Sequence, residues 1–185
     1  MQAALRFLAL LNAAIWLGAT VFFTVGAGPA FFGPEMAAFL PKPHRARAAE
    51  LVIARLFTLQ QVCGGIALTL LLIECIRTGR LIRHFHVGLV AALLLFSLLA
   101  GGWLAPHMHE LQRVRYAPDS TPAQRAAAEH AFNLWHGFSQ LMNVLTLAGL
   151  VVHFWALSRP AEGGPRLGNL FRPQPPADGT VPRML

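Results

Sequence analysis

Residues 131–157 read AFNLWHGFSQLMNVLTLAGLVVHFWAL, without one Asp, Glu, Lys or Arg. About 20 apolar residues in a helix cross the ~30 Å hydrocarbon layer of a bilayer, so a membrane span is expected over about 134–157. The strongest polar groups in it, His136, Gln140 and Asn143, recur at i, i+4 and i+7 and share one helical face, with Ser139 beside them. An unsatisfied amide or imidazole in hydrocarbon costs several kcal/mol, so this stripe is expected to face other helices or a wet cavity.

The rest of the chain agrees with a lipid solvent. Of 185 residues, 55% are hydrophobic and 12% charged, and the mean hydropathy is +0.51, a composition unlike that of a soluble domain. A net charge of +7 could suggest nucleic acid, but the arginines are scattered over connections and a tail, and anionic lipid headgroups account for them more simply. Cys63 and Cys75 fall on one expected helix, ~18 Å apart at 1.5 Å per residue, too far to bridge.

Three more spans precede the quoted one. Phe7 to Pro34 carries no charge, and a helix over about 7–27 is expected to end near Gly26-Ala27-Gly28-Pro29. It is too long for a signal-peptide core. Pro29, Pro34, Pro41 and Pro43 then suggest a broken segment at the membrane surface. Leu56 to Ile73 is uncharged and gives a second span over about 56–76, and Val87 to Pro106 gives a third over about 86–106. Short connections imply antiparallel neighbours. Beyond Pro106 the apolar periodicity continues to Tyr116, and Thr121-Pro122-Ala123-Gln124 offers a capping box with Pro at the first helical position. Helices three and four are therefore expected to project from the bilayer as a hairpin. From Ser158 to Leu185, six prolines, four glycines and no apolar period read as a disordered basic tail. The fold expected is all-α: a four-helix transmembrane domain over 1–157 with a tail over 158–185. Eight Lys/Arg residues lie on the side of the termini and seven on the other, which favours an inner or plasma membrane protein with cytoplasmic termini.

Phe132-Asn133-Leu134-Trp135-His136-Gly137-Phe138-Ser139-Gln140-Leu141-Met142-Asn143 resembles the F-x-x-Y/W-H-G-x-S-x-L-x-N signature of the transmembrane protein 205-like family. Trp16-x-Gly18, Arg55-Leu56-Phe57 and Trp103-Leu104-x-Pro106 are similar to that family's remaining fixed points, in the same order. The resemblance covers about Trp16 to Asn143 and implies a four-helix integral membrane protein with no agreed biochemical activity. It also implies a fold-level kinship with copper resistance protein D, which by itself says nothing of activity.

Three constellations could carry chemistry. The first is the stripe His136, Ser139, Gln140 and Asn143, with Asn12 on helix one, Gln60 or Gln61 on helix two and Ser97 on helix three as partners. It could be interhelical glue or a proton or solute path gated by His136. The second is His107, Glu110 and His130, with His44 as an extra candidate, because a hairpin about Pro118-Asp119 sets His107 level with His130. Two imidazoles and a carboxylate could hold Zn or Cu. In the third, His84 or His86 lies level with His153, a spacing that could grip a haem between two axial imidazoles. No phosphate-cradling loop, G-x-S-x-G, H-E-x-x-H or CxxC pair occurs, so an enzyme is not expected. The role expected is transport-linked or accessory, with metal or haem binding, or a structural place in a membrane complex, as alternatives. Membrane lipids and a second membrane subunit or copy are the expected partners; nucleic acid is not.

Overall fold

A computed structural model describes the backbone of residues 2–78 and 83–159, with side chains over 4–76 and 85–159. His84, Arg77, Arg80 and Arg83, and the tail from Pro160 onward, lie outside the described side chains. Helices run over α1 (Gln2–Val21), α2 (Gly28–Phe32), α3 (Pro34–Phe39), α4 (Lys42–Thr78), α5 (Arg83–Leu99), α6 (Ala105–Tyr116) and α7 (Pro122–Ser158), and no strand occurs among the described residues. They join into four rods long and apolar enough to cross a membrane: Ala4–Phe32, Lys42–Ile76, Phe85–Tyr116 and Pro122–Ser158.

Two prolines decide how the first and third rods are built. In an α-helix Pro29 and Pro106 would each leave a carbonyl without its donor and press the ring on the preceding turn. Each instead follows a π-helical stretch, Phe22–Ala27 or Ala100–Leu104, and falls in the first turn of the next α-helix. In these wider turns Gly28 N–H donates to the Phe23 carbonyl and Ala105 N–H to that of Ala100. The first rod therefore does not end at Gly26-Ala27-Gly28-Pro29, as expected from sequence, but continues to Phe32 and breaks at Gly33.

Helix order round the bundle follows the chain: α1 packs on α4, α4 on α5, α5 and α6 on α7, and α7 returns to α1. Trp16, fully buried on α1, fills the centre with Cys63, Ala67, Leu71, Val90, Leu93 and Leu150 around it. The indole fits because α4 offers Gly64 opposite it: a Cβ there would lie 3.1 Å from Trp16 Cη2 and 3.0 Å from Leu94 Cδ1.

The hairpin expected from sequence is present. Thr121 caps α7, its side chain accepting from Gln124 N–H while Gln124 Oε1 accepts from Thr121 N–H at 2.9 Å, with Pro122 in the first turn. Arg125 donates to the Ala117 and Pro118 carbonyls, and Arg115 pairs with Glu129 across the two helices. The start of α4 joins them through buried Ala49 and through Glu50, which bonds His109 at 3.0 Å and Arg47 at 2.9 Å. On α7, Trp135 and Trp155 stand 20 residues apart, ~30 Å at 1.5 Å per residue, the separation of two interfacial aromatic belts.

Gly64→Leu is expected to overpack the Trp16–Leu94 contact and destabilise the bundle by about 1–3 kcal/mol. Gly65→Leu, at a position with open space around it, is expected to cost under about 0.5 kcal/mol; denaturant unfolding in micelles compares the two.

Candidate functional site

Every fourth residue of α1 from Asn12 onward turns inward: Asn12, Trp16, Thr20 and, in the π stretch, Thr24. Asn12, Trp16 and Thr20 are buried. Each polar member of this stripe takes a partner on a neighbouring rod. Asn12 Nδ2 donates to the Cys63 carbonyl at 2.9 Å, Gln60 Nε2 to Thr20 Oγ1 at 3.4 Å, and Asn143 Nδ2 to Thr24 Oγ1 at 2.7 Å. The two threonines donate their own protons back to the carbonyls of Trp16 and Thr20, so both hydroxyls give and receive.

The other two seams are tied as well. Gln61 Nε2 donates to the Ser97 carbonyl at 3.3 Å between α4 and α5, while Ser97 Oγ bonds its own helix at Leu94. Gly101 lets this seam close, because a Cβ there would meet Gln61 Nε2 at 3.1 Å and Phe57 Cβ at 3.2 Å. Beside it runs a groove of about 390 Å³ lined by Phe57, Gln61 and Gly101 among others. Between α5 and α7, His86 Nε2 and His153 Nδ1 are 2.7 Å apart, one donating to the other.

That imidazole pair is the most deeply placed ionisable group in the bundle. His153 is 1% exposed and its ring meets the Trp16 indole edge-on at 6.3 Å between centroids. His153 Nε2 and Trp16 Nε1 are both buried without a hydrogen-bond partner among the described residues. One is a possible acceptor and the other an obligatory donor. Left without a partner in hydrocarbon, such atoms cost several kcal/mol.

Of the polar stripe on α7, only Asn143 crosses to another rod. His136 and Gln140 bond each other at 3.1 Å, with Gln140 exposed and His136 stacked on Phe132 at 5.7 Å. Ser139 Oγ donates to the His136 carbonyl. At the outer boundary His107 stacks on Trp103 and meets Trp135 edge-on, Glu110 pairs with Arg113, and His130 and His44 are exposed. No three His, Cys, Asp or Glu side chains converge on a metal-sized space among the described residues. His86 and His153, the two imidazoles level with each other, are in direct hydrogen-bond contact. Of the remaining motif residues, Trp16 is in the core and Phe57 half-buried, whereas Gly18, Arg55, Trp103, Pro106 and Gly137 are exposed.

Thr20 and Thr24 were not singled out by sequence reasoning. The signal was their spacing of four from Asn12 and Trp16, obscured because a threonine in a membrane helix can satisfy itself on its own backbone.

Four apolar rods, each seam between them tied by a polar side chain, define a polytopic helical membrane protein. Residues 11–117 match the model of a family described as a domain of unknown function, DUF4149, and the chain belongs to that family. No curated protein and no solved structure matches the chain.

Removing either partner of the Asn143–Thr24 bond is expected to destabilise the bundle by about 0.6–2 kcal/mol. A double-mutant cycle of Asn143→Leu with Thr24→Val should give a coupling of about 0.6–1.7 kcal/mol, against none for Gln140→Leu with Thr24→Val.

Proposed function

We propose that this protein is transport-linked, with the bundle interior as its working part and the His86–His153 pair as the proton-exchanging group. The observation that carries this reading is the burial of His153, an ionisable side chain held inside a transmembrane bundle with one ring nitrogen bonded and the other unpartnered. Intramembrane ionisable groups are costly, and where present they commonly lie on ion or proton paths. Imidazole is suited to the task because a free one exchanges its proton near neutral pH. Asn12, Thr20, Gln60, Thr146 and Ser97 are also buried polar groups of the bundle, and Thr20 and Gln60 bond each other nearer to Asn143. His136 and Gln140 would extend this set toward the outer boundary.

A second reading, a structural subunit of a membrane complex or homo-oligomer, draws support from the polar tie at every seam, which makes a rigid bundle with lipid-facing outer surfaces. Metal or haem binding at His107, Glu110 and His130 or at His86 and His153 draws the least from the geometry. Within DUF4149 the motifs at Trp16, Arg55 and Trp103 support a transmembrane protein 205-like affiliation, as does the His136 signature beyond the matched residues; the fold-level kinship with copper resistance protein D rests on that resemblance alone. A cell or inner membrane with cytoplasmic termini is supported by the small excess of Lys/Arg on that side.

In vesicles loaded with a pH-sensitive dye, the purified protein is expected to collapse an imposed pH gradient faster than empty vesicles do. His153→Gln and His86→Gln should each slow it by about a hundredfold or to the empty-vesicle rate. A wild type no faster than empty vesicles, or folded variants as fast as wild type, would overturn the reading.

A further inference from the structure

Where α1 begins and α7 ends, the two helices leave between them a shallow, open groove of about 490 Å³, lined by Phe7, Leu10, Leu11, Ala14, Phe154 and Ser158. The groove opens on the outer face of the bundle, where Phe7 and Leu11 are exposed, so what lies against it is lipid. Its rim is the level of Trp155, one of the two interfacial belts.

Two guanidinium groups stand at that rim. Arg6 Nη2 donates to the Arg159 carbonyl at 2.6 Å, and the Arg159 guanidinium lies over the Trp155 ring at 3.6 Å from its centroid. No carboxylate is within ion-pair distance of either among the described residues. Arg6 reaches the backbone of Arg159 and the Arg159 guanidinium lies one turn back over Trp155, so two cations without an acidic partner stand on the same stretch of rim, where an anion would find complementary charge. Guanidinium groups recognise phosphate oxygens through paired N–H donors.

We propose that this groove is a binding site for one anionic phospholipid, its phosphate on Arg6 and Arg159 and one acyl chain along Leu10, Leu11, Ala14 and Phe154. The apolar trough and the cationic rim each match one half of an amphiphile, and they adjoin at the depth where a phospholipid changes from headgroup to chain. Arg6 and Arg159 come from opposite ends of the described chain, so the bound lipid would also clasp the first rod to the last.

Native mass spectrometry of the full chain, released from nanodiscs of phosphatidylglycerol and phosphatidylcholine in equal amounts, tests the site. Wild type is expected to retain one phosphatidylglycerol over phosphatidylcholine by about thirtyfold, two cationic side chains at about 1 kcal/mol each. The double variant Arg6→Gln/Arg159→Gln should lose that preference. Ala14→Trp, at an exposed position where the indole fills the trough without touching the core, should lose the retained lipid although both arginines remain. Equal retention of the two lipids by wild type would overturn the proposal, as would Ala14→Trp holding phosphatidylglycerol as wild type does.

Discussion

Inside a hydrocarbon layer no water stands ready to take up a stray proton donor, and this single condition shapes the bundle. Apolar contact gives helices little reason to associate there, since lipid tails are as greasy as leucine. What can distinguish one helix face from another is a polar group that must be satisfied and a small residue that lets a neighbour come close. Each seam here has a polar tie: Asn12 to the Cys63 carbonyl and Gln60 to Thr20, Gln61 to the Ser97 carbonyl, His86 to His153, and Asn143 to Thr24. Gly64 on α4 leaves room for Trp16 and Leu94, and Gly101 on the third rod leaves room for Gln61 and Phe57. The ties specify which face meets which; Trp16 then fills the space they enclose.

The two proline sites show how the same condition is met by the backbone. A straight α-helix through Pro29 or Pro106 would strand a carbonyl in lipid. The π turns ahead of them widen the ladder by one residue, keep each rod continuous, and rotate all that follows relative to what precedes. On the first rod this happens beside Thr24, and on the third beside Gly101, so both re-phasings lie next to a seam tie. The outer ends of these rods consequently point in directions that a constant 100° step would not give, and α2 leans toward α4 while α6 runs along α7.

This is also why the sequence was legible in some places and opaque in others. The lengths of the uncharged runs, the capping box at Thr121 and the hairpin beyond Pro106 depend on local chemistry and were all readable. His86 and His153 were found to be level by counting residues along antiparallel rods, which tells of height but not of distance; a haem fits that height, a direct hydrogen bond equally so, and the structure has the bond. The stripe His136, Gln140, Asn143 is a real stripe, since the first two bond each other, but periodicity says only that residues share a face. It does not say how far along the rod its neighbour remains in contact. The α1 stripe, by contrast, went unread because threonine hydroxyls, able to bond their own helix, carry no obligation to reach across.

The two halves of the bundle are built on different terms. Toward the termini the interior is mostly apolar and tight around Trp16; its polar groups are Asn12, tied to the Cys63 carbonyl, and an imidazole pair that the packing has not fully satisfied among the described residues. Toward the hairpin the rods are tied by amides and hydroxyls, lengthened by π turns and continued outside the membrane, where Glu50, His109, Arg115 and Glu129 hold three helices together in water. The unpartnered ring nitrogen of His153 is deeply buried, and the same imidazole's other nitrogen holds the contact to His86, so an apolar side chain of similar volume would remove the orphaned atom only by giving up that hydrogen bond. The strain sits at His153 and Trp16, one turn from the amide ties and within reach of His86, so the tightest part of the protein is also where a change of protonation or a polar guest would be felt by α1, α5 and α7 at once.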